Sequence, residues 1–219
     1  MSRRPDTRLG VGRIAVPAAL IMVLTACLSP GGENRPLRTY QLSLDPAAAP
    51  PPGTSGKPGS AILLVTMPQP QAGFDTPGMV YLRRPHEVNY YATSQWADTP
   101  ARMLASLLVQ ALEQSHAWQA VVHAPTPLRA DYRVDSDTLL IEHEFFQQPS
   151  RVRLTLRVQL IELRGQRILG TRLFEALEEA PSEDAYGGVV AANQAVTKLL
   201  ADVAAWLSTR LNEAEPRGK

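Results

Sequence analysis

The chain has very little cysteine, since Cys27 is the single thiol among its 219 residues. The folded part therefore contains no disulfide, even in a compartment that would permit one. An excess of charge of one sign is also missing, because 22 Lys and Arg stand against 21 Asp and Glu. A nucleic-acid-binding protein would show a surplus of positive charge, so the balance argues against that class.

The sequence also lacks the motifs of common nucleotide-binding and hydrolytic sites. It contains neither G-x-x-x-x-G-K-[ST] nor G-x-G-x-x-G, and neither G-x-S-x-G nor H-E-x-x-H. The histidines are scattered without the spacing of metal ligands, at His86, His116, His123 and His143. In the triplet 142–144, strand geometry separates His143 from the two glutamates, and we interpret it as a solvated strand edge rather than a metal site. The sequence predicts no catalytic residues, no cofactor and no metal.

The first 26 residues have the pattern of a bacterial lipoprotein signal peptide. A basic start precedes an apolar run over 14–24, whose eleven residues are too few to span a bilayer comfortably. The run ends in LTAC at 24–27, which is similar to a lipobox, in which the cysteine thiol receives a diacylglycerol. The sequence predicts lipidation at Cys27 and membrane attachment through acyl chains. The alternative is an uncleaved N-terminal anchor.

The mature chain divides into a tether, one domain and a tail. Residues 27–37 are predicted to be a lipidated tether, and its ten residues after the cysteine reach about 30 Å at most. The domain is predicted over 38–212, with a Pro/Gly/Ala-rich loop at 45–60, and a polar tail over 213–219. No Asp follows Cys27 directly, which under enterobacterial-type sorting implies the periplasmic face of the outer membrane.

Alternation of apolar and polar residues predicts a sheet with one core face and one wet face. It is clearest over 151–160, where Leu156 belongs to the apolar set and Arg153 to the polar set. Replacing Arg153 with alanine is therefore predicted to cost less than roughly 0.5 kcal/mol. A shift of parity within 132–146 indicates a bulge. Further strands are predicted at 40–44, 61–67, 79–84, 87–93, 120–123 and 167–176.

Two segments have the apolar spacing of amphipathic helices. The first begins at Pro100 after a predicted Thr99 cap and carries an apolar stripe over 103–112. The second is predicted over 182–212, and Gly187-Gly188 near its start indicates either close packing or a loosened first turn. The predicted fold class is α+β, with a mixed, largely antiparallel sheet and both helices on one face.

Two groups of surface residues are candidates for binding. Arg151, Arg153 and Arg157 share one strand face, which could receive lipid headgroups or an acidic partner, although a merely solvated face is favoured. Aromatic residues concentrated within 81–96 are typical of a partner-docking surface, although at least half of them should be core. The predicted docking residues are Tyr81, Arg83, Tyr90, Tyr91 and Trp96.

Several segments closely resemble the ABC-type transport auxiliary lipoprotein family. They are VYLR at 80–83, VNYY at 88–91, WAD at 96–98, PARML at 100–104, ADYR at 130–133, VRL at 152–154, FEA at 174–176 and GGVVAAN at 187–193. The resemblance covers nearly all of the mature chain, and the lipobox and the strand at 40–42 sit where the family has them. The loop at 45–60 is longer than the family leads us to expect.

The resemblance implies a non-catalytic periplasmic lipoprotein that works beside an ABC permease, its ATPase and an MCE-domain protein. Such systems move lipids or other hydrophobic molecules between the inner and outer membranes. Fold-level likeness alone does not establish function, so two alternatives stay open. They are a structural or assembly lipoprotein that binds envelope proteins without handling lipid, and a lipidated hydrolase. The sequence leaves the oligomeric state open, including a homo-oligomer.

Overall fold

The computed structural model of the chain describes residues 36–45 and 59–214. The signal peptide, Cys27, most of the tether, most of the 45–60 loop and the end of the tail lie outside the described residues. The family-like segments at 80–193 all lie inside them. Neither of the two helices in the described ranges combines the length and apolar character needed to cross a bilayer.

Eight strands form one mixed sheet in the described part of the chain. Most of the predicted strands are present, with ends shifted by a few residues. Their bounds are β1 Arg38–Tyr40, β2 Ile62–Val65, β3 Gly78–Leu82, β4 Asn89–Trp96, β5 Ala120–His123, β6 Tyr132–Glu144, β7 Arg151–Glu162 and β8 Arg167–Glu179. The predicted mixed sheet of an α+β fold is confirmed.

The long strand β6 organises the sheet. One of its sides pairs antiparallel with β7 along nearly the whole strand, and β7 pairs in turn with β8. The other side pairs with β2 near its start and with β3 near its end, both in parallel. The predicted bulge lies between Asp137 and Leu140, where the register with β7 shifts. Thr138 lies in this interval with a φ of 57°.

The first strand is shorter than the alternation over 40–44 predicts. β1 pairs in parallel with β4 and ends at Tyr40. Beyond it, side chains of the last helix bind the backbone: Ser43 N–H donates to Asn193 Oδ1, and Asp45 N–H donates to Thr197 Oγ1. Leu42 is nevertheless buried. The alternation over 40–44 predicted burial correctly. The backbone after Tyr40, however, is hydrogen-bonded to side chains of the last helix rather than to a neighbouring strand.

Two helices, α1 Pro100–Gln114 and α2 Ala185–Ala214, pack on one face of the sheet as predicted. The apolar stripe of α2 is buried along its whole length, from Val189 to Leu211. Thr99 is the N-cap residue of α1 by position, but its side chain makes no capping hydrogen bond. Instead, Thr99 N–H donates to Asp98 Oδ1 at 2.7 Å. Pro100 at the first helical position fits because that position needs no N–H donor.

The main core lies between the sheet and the two helices. The apolar set of β7 faces it as predicted, and all five of its members are buried: Val152, Leu154, Leu156, Val158 and Leu160. A second, small apolar cluster lies on the opposite face of the sheet, which we call the outer face. There Phe74, in the β2–β3 loop, covers Val80 and Leu82, with Leu140 packed against them.

Candidate functional site

The predicted docking residues are divided between the core and the surface. Trp96 is 3% exposed and belongs to the main core, so its inclusion in a docking surface is corrected. Tyr81 and Tyr91 are half-buried on the helix side of the sheet, with ring centroids 4.7 Å apart. Tyr90 and Arg83 are exposed. Alternate residues of a strand point to opposite faces, so adjacent Tyr90 and Tyr91 differ in surroundings.

His143 lies at the centre of a buried polar cluster where α2 begins. Its Nδ1 lies 3.0 Å from the Tyr91 hydroxyl and its Nε2 lies 2.8 Å from Ser150 Oγ. The ring of Phe145 lies beside the imidazole, with centroids 4.2 Å apart. We call Tyr91, His143, Ser150 and the start of α2 at Gly188 the α2 junction. The predicted solvated strand edge at 142–144 is wrong, because β6 has partners on both sides and His143 is 3% exposed.

Hydrogen bonds link Glu183, Ser150, His143 and Tyr91 in a continuous series at the α2 junction. Glu183 Oε1 accepts from Ser150 N–H at 2.9 Å. Hydrogen bonding from Ser150 holds the pKa of Glu183 below its usual range. A neutral imidazole donates from one ring nitrogen and accepts at the other, so His143 joins Ser150 Oγ to the Tyr91 hydroxyl in either tautomer.

The α2 junction holds the helix start against the sheet rather than presenting a nucleophile. Ser150 is fully buried, so its hydroxyl is closed to a substrate despite its hydrogen bond to a histidine. At the helix start, Asp184 Oδ1 accepts from Gly187 N–H at 2.8 Å, which satisfies one of the free donors there. Because Gly188 has no side chain, α2 can lie close to the imidazole of His143.

Replacing Gly188 with alanine should destabilise the fold although alanine is the better helix former. An added Cβ would lie 2.6 Å from His143 Nδ1, so the ring or the helix must move. Overpacking of this kind costs about 1–3 kcal/mol, to be measured by urea unfolding. The same change in a His143→Ala background should cost much less, and an equal cost in both backgrounds would contradict the close approach. Of the two sequence interpretations of Gly187-Gly188, the structure supports close packing.

Stability should fall as the pH drops from about 6.5 to about 4. Burial lowers the pKa of His143 to about 4, whereas the unfolded chain takes up this proton near the ordinary value of 6.5. Between those values the unfolded state binds more protons, so the contribution of neutral His143 is present above pH 6.5 and is lost toward pH 4. Urea midpoints over this range should show a shallower fall in His143→Gln. His86→Gln, at an exposed position, should retain the wild-type slope.

The three arginines of β7 are engaged with acidic residues on the outer face. Arg153 Nε donates to Glu144 Oε1 at 2.6 Å, and its Nη1 lies 2.7 Å from Glu175 Oε2. Arg157 binds Asp137 through two contacts of 2.7 Å and thereby holds the pKa of Asp137 below its usual range. Arg151 Nη2 lies 3.9 Å from Glu144 Oε2.

These ion pairs change the interpretation of the Arg151, Arg153 and Arg157 face. Glu144 is 3% exposed and lies beneath the guanidinium of Arg153. Burial, followed by repulsion from Glu144, raises the pKa of the Glu142 carboxyl. The positive charge is therefore balanced within the sheet and is not free to attract headgroups or an acidic partner. Cross-strand register with β6 and β8 produces this neutralisation, and register is invisible in the strand's own sequence.

Sequence reasoning missed the importance of His143, Ser150 and Glu183. The triplet at 142–144 drew attention to His143, but its partners are distant in sequence. In residues 36–45 and 59–214, no group of His, Cys, Asp or Glu is arranged to hold a metal ion. Cys27 lies outside these residues, so its lipidation stays a prediction.

Comparisons with known proteins show a family through a family model and a fold through solved structures. The family model of the ABC-type transport auxiliary lipoprotein component matches residues 40–204. The crystal structure of protein XCC0632 from Xanthomonas campestris, of family DUF330, superposes with a TM-score of 0.70 at 22% identity, covering 81% of this chain and 97% of that chain. A second crystal structure, of an uncharacterized protein, gives 0.57 at 17% identity, covering 78% and 99%. At such identities these neighbours show the fold alone. No curated protein matches the chain.

Proposed function

Because the chain belongs to the ABC-type transport auxiliary lipoprotein family, we propose that it is the periplasm-facing accessory subunit of a transporter with an MCE-domain protein. The other partners in this proposal are an ABC permease and its ATPase. The cargo is a lipid or another hydrophobic molecule passing between the inner and outer membranes. The family match over residues 40–204 is the observation that carries the proposal.

An accessory role agrees with what the sequence contains. Without a phosphate-binding loop anywhere in its 219 residues, the chain depends on a partner for ATP hydrolysis. The lipobox ending at Cys27 supplies a way to hold the domain at a membrane. We propose that the anchor lies in the periplasmic leaflet of the outer membrane.

Replacing Cys27 with serine should abolish acylation and release the chain from membranes or leave it unprocessed. Cys27 is the only thiol, so no other cysteine can take the lipid. Labelling with an alkyne fatty acid measures the attached acyl chain, and membrane fractionation measures release. Labelling of the serine variant equal to that of the wild type would contradict the lipoprotein prediction.

For protein partners, we propose a docking surface around Tyr90 on the outer face. Tyr90 is 47% exposed, and its hydroxyl donates to Gly73 O at 2.9 Å. The ring is therefore held in one position before binding, which lowers the entropy lost on association. Exposed tyrosines of this kind are frequent energetic centres of interfaces.

Affinity capture of the acylated chain from detergent-solubilised membranes tests both the partner and the surface. We expect the MCE-domain protein and its permease to be captured by the wild type. Tyr90→Ala should weaken this binding by about 2 kcal/mol, roughly thirtyfold. Tyr186→Ala removes a tyrosine that is 57% exposed on α2 and serves as the matched control. Capture of envelope assembly proteins without any transporter subunit would favour the structural or assembly alternative.

A further inference from the structure

Two loops meet at one end of the sheet and form a continuous exposed surface. The β3–β4 turn spans residues 83–88, and the β6–β7 loop spans residues 145–150. β3 and β6 run parallel, so both end on this side, and Phe145 N–H donates to Leu82 O at 2.8 Å. We call the exposed residues of these two loops the tip.

The tip carries the mixture of side chains that suits a membrane–water interface. Val88 is 46% exposed and Phe146 is 44% exposed, one from each loop. Among the described residues Arg83 forms no ion pair, and its guanidinium lies over the Tyr81 ring at 5.8 Å. Arg84 is paired with Glu87 at 2.7 Å. Apolar and aromatic groups beside a free arginine match lipid chains and phosphates at the headgroup level.

The chain also enters the domain from the direction of the tip. β1 runs parallel to β4, which begins at the β3–β4 turn, so Pro36 and Leu37 lie toward that end relative to Arg38. Arg38 pairs with Ser94, whose neighbour Gln95 pairs with Gly78. The tip begins where β3 ends, four residues after Gly78, so the chain enters the sheet roughly 13 Å from the tip at the rise of a strand.

The reach of the tether favours the tip over the opposite end. The opposite end of the sheet is farther away. The start of β6 lies about eight residues, roughly 26 Å, from the level of Gly78, and the β7–β8 turn lies beyond it. Residues 28–37 reach about 30 Å when fully extended. A membrane at the tip leaves the tether slack, whereas a membrane at the opposite end requires it to reverse and stretch along the domain.

We infer that the tip lies against the lipid headgroups of the membrane in which the chain is anchored. This inference rests on the proposed anchor at Cys27. The acidic residues near the same end are already bound: Glu87 to Arg84, and Glu144 to Arg153. Where α2 begins, Glu183 and Asp184 are bound to Ser150 and Gly187. Arg83 and Val88 lie on the β3–β4 side, so that side of the tip faces the lipid most closely.

The acylated full-length chain in vesicles of phosphatidylethanolamine and phosphatidylglycerol tests the inference. Because the thiol of Cys27 carries the lipid, a cysteine introduced at Val88 or Phe146 is the only free thiol and takes a bimane label. Nitroxide-labelled headgroup lipid then quenches a label that touches the membrane. Ile168→Cys is the matched control, since Ile168 is 58% exposed but lies beside the β7–β8 turn at the opposite end.

We expect quenching at Val88→Cys and Phe146→Cys to be severalfold stronger than at Ile168→Cys among vesicle-bound molecules. Equal quenching, or stronger quenching at Ile168→Cys, overturns the inference while leaving the anchor intact. Failure of the chain to float with vesicles overturns the anchor itself, and the inference with it. Shielding of both tip labels only after the captured transporter subunit is added would assign the tip to a protein interface instead.

Discussion

Replacing Leu156 with alanine should lower the free energy of unfolding by about 2–5 kcal/mol. Leu156 is fully buried on β7, where it pairs with Phe174 on β8 and faces the core beneath the helices. Truncation removes apolar contact area and leaves a cavity that the closely packed sheet and helix can fill only in part. Equilibrium urea unfolding measures the loss.

The neighbouring strand offers a matched control of the same residue type. Leu173 pairs with Arg157, next to the Leu156–Phe174 pair, but is 57% exposed. Leu173→Ala should change stability by less than roughly 0.5 kcal/mol, as is usual at exposed positions. Similar losses for the two leucines would mean that the faces of β7 and β8 are assigned wrongly.

Replacing Arg153 with alanine should cost about 1–3 kcal/mol, well above the small effect that the alternation of β7 predicts from sequence. The reason is Glu144, whose side chain is 4% exposed and whose carboxylate accepts from Arg153 Nε at 2.6 Å. Without Arg153, the buried carboxylate of Glu144 has no partner. Leaving that charge unpaired costs more free energy than the ion pair contributes to stability. Glu144 together with Glu175 raises the pKa of Arg153, as expected for a guanidinium held by carboxylates.

Arg157→Ala on the same strand is the control for Arg153→Ala. Arg157 and Asp137 have side chains that are 53% and 41% exposed, so water can replace their contact. Exposed pairs of this kind contribute about 0–1 kcal/mol. In a Glu144→Gln background, Arg153→Ala should cost less, because no buried charge is then left behind. Equal costs for Arg153→Ala and Arg157→Ala in urea unfolding would contradict this account.

Local patterns predicted the elements well because they report burial and backbone preference over a few residues. The alternation over 151–160 predicted which face of β7 is core, and the stripe over 182–212 predicted the buried face of α2. The parity shift within 132–146 predicted the bulge near Thr138. In each of these cases the signal depends on neighbours within one strand or one helix turn.

Sequence patterns gave wrong predictions where the exposure or the hydrogen bonding of a residue depends on which distant segment packs against it. Glu142 to Glu144 looked like an exposed edge, since nothing in the triplet reveals that β3 and β7 flank it. The segment after Tyr40 looked like strand, but Asn193 and Thr197 of α2 bind its backbone. Trp96 looked like an interface residue, but the helices cover it.

By itself the sequence determined the α+β class, the two helices, the core face of the best strand and the resemblance to one family, and it predicts the lipid anchor. Only the tertiary structure decided that Arg153 is bound by Glu144, that His143 joins Tyr91 to Ser150, and that Gly188 must lack a side chain. The physical reason is that periodicity acts within a segment. Strand order and register bring together residues that are far apart in the chain. They therefore decide which charges pair, how closely α2 approaches His143, and which loops meet at the tip.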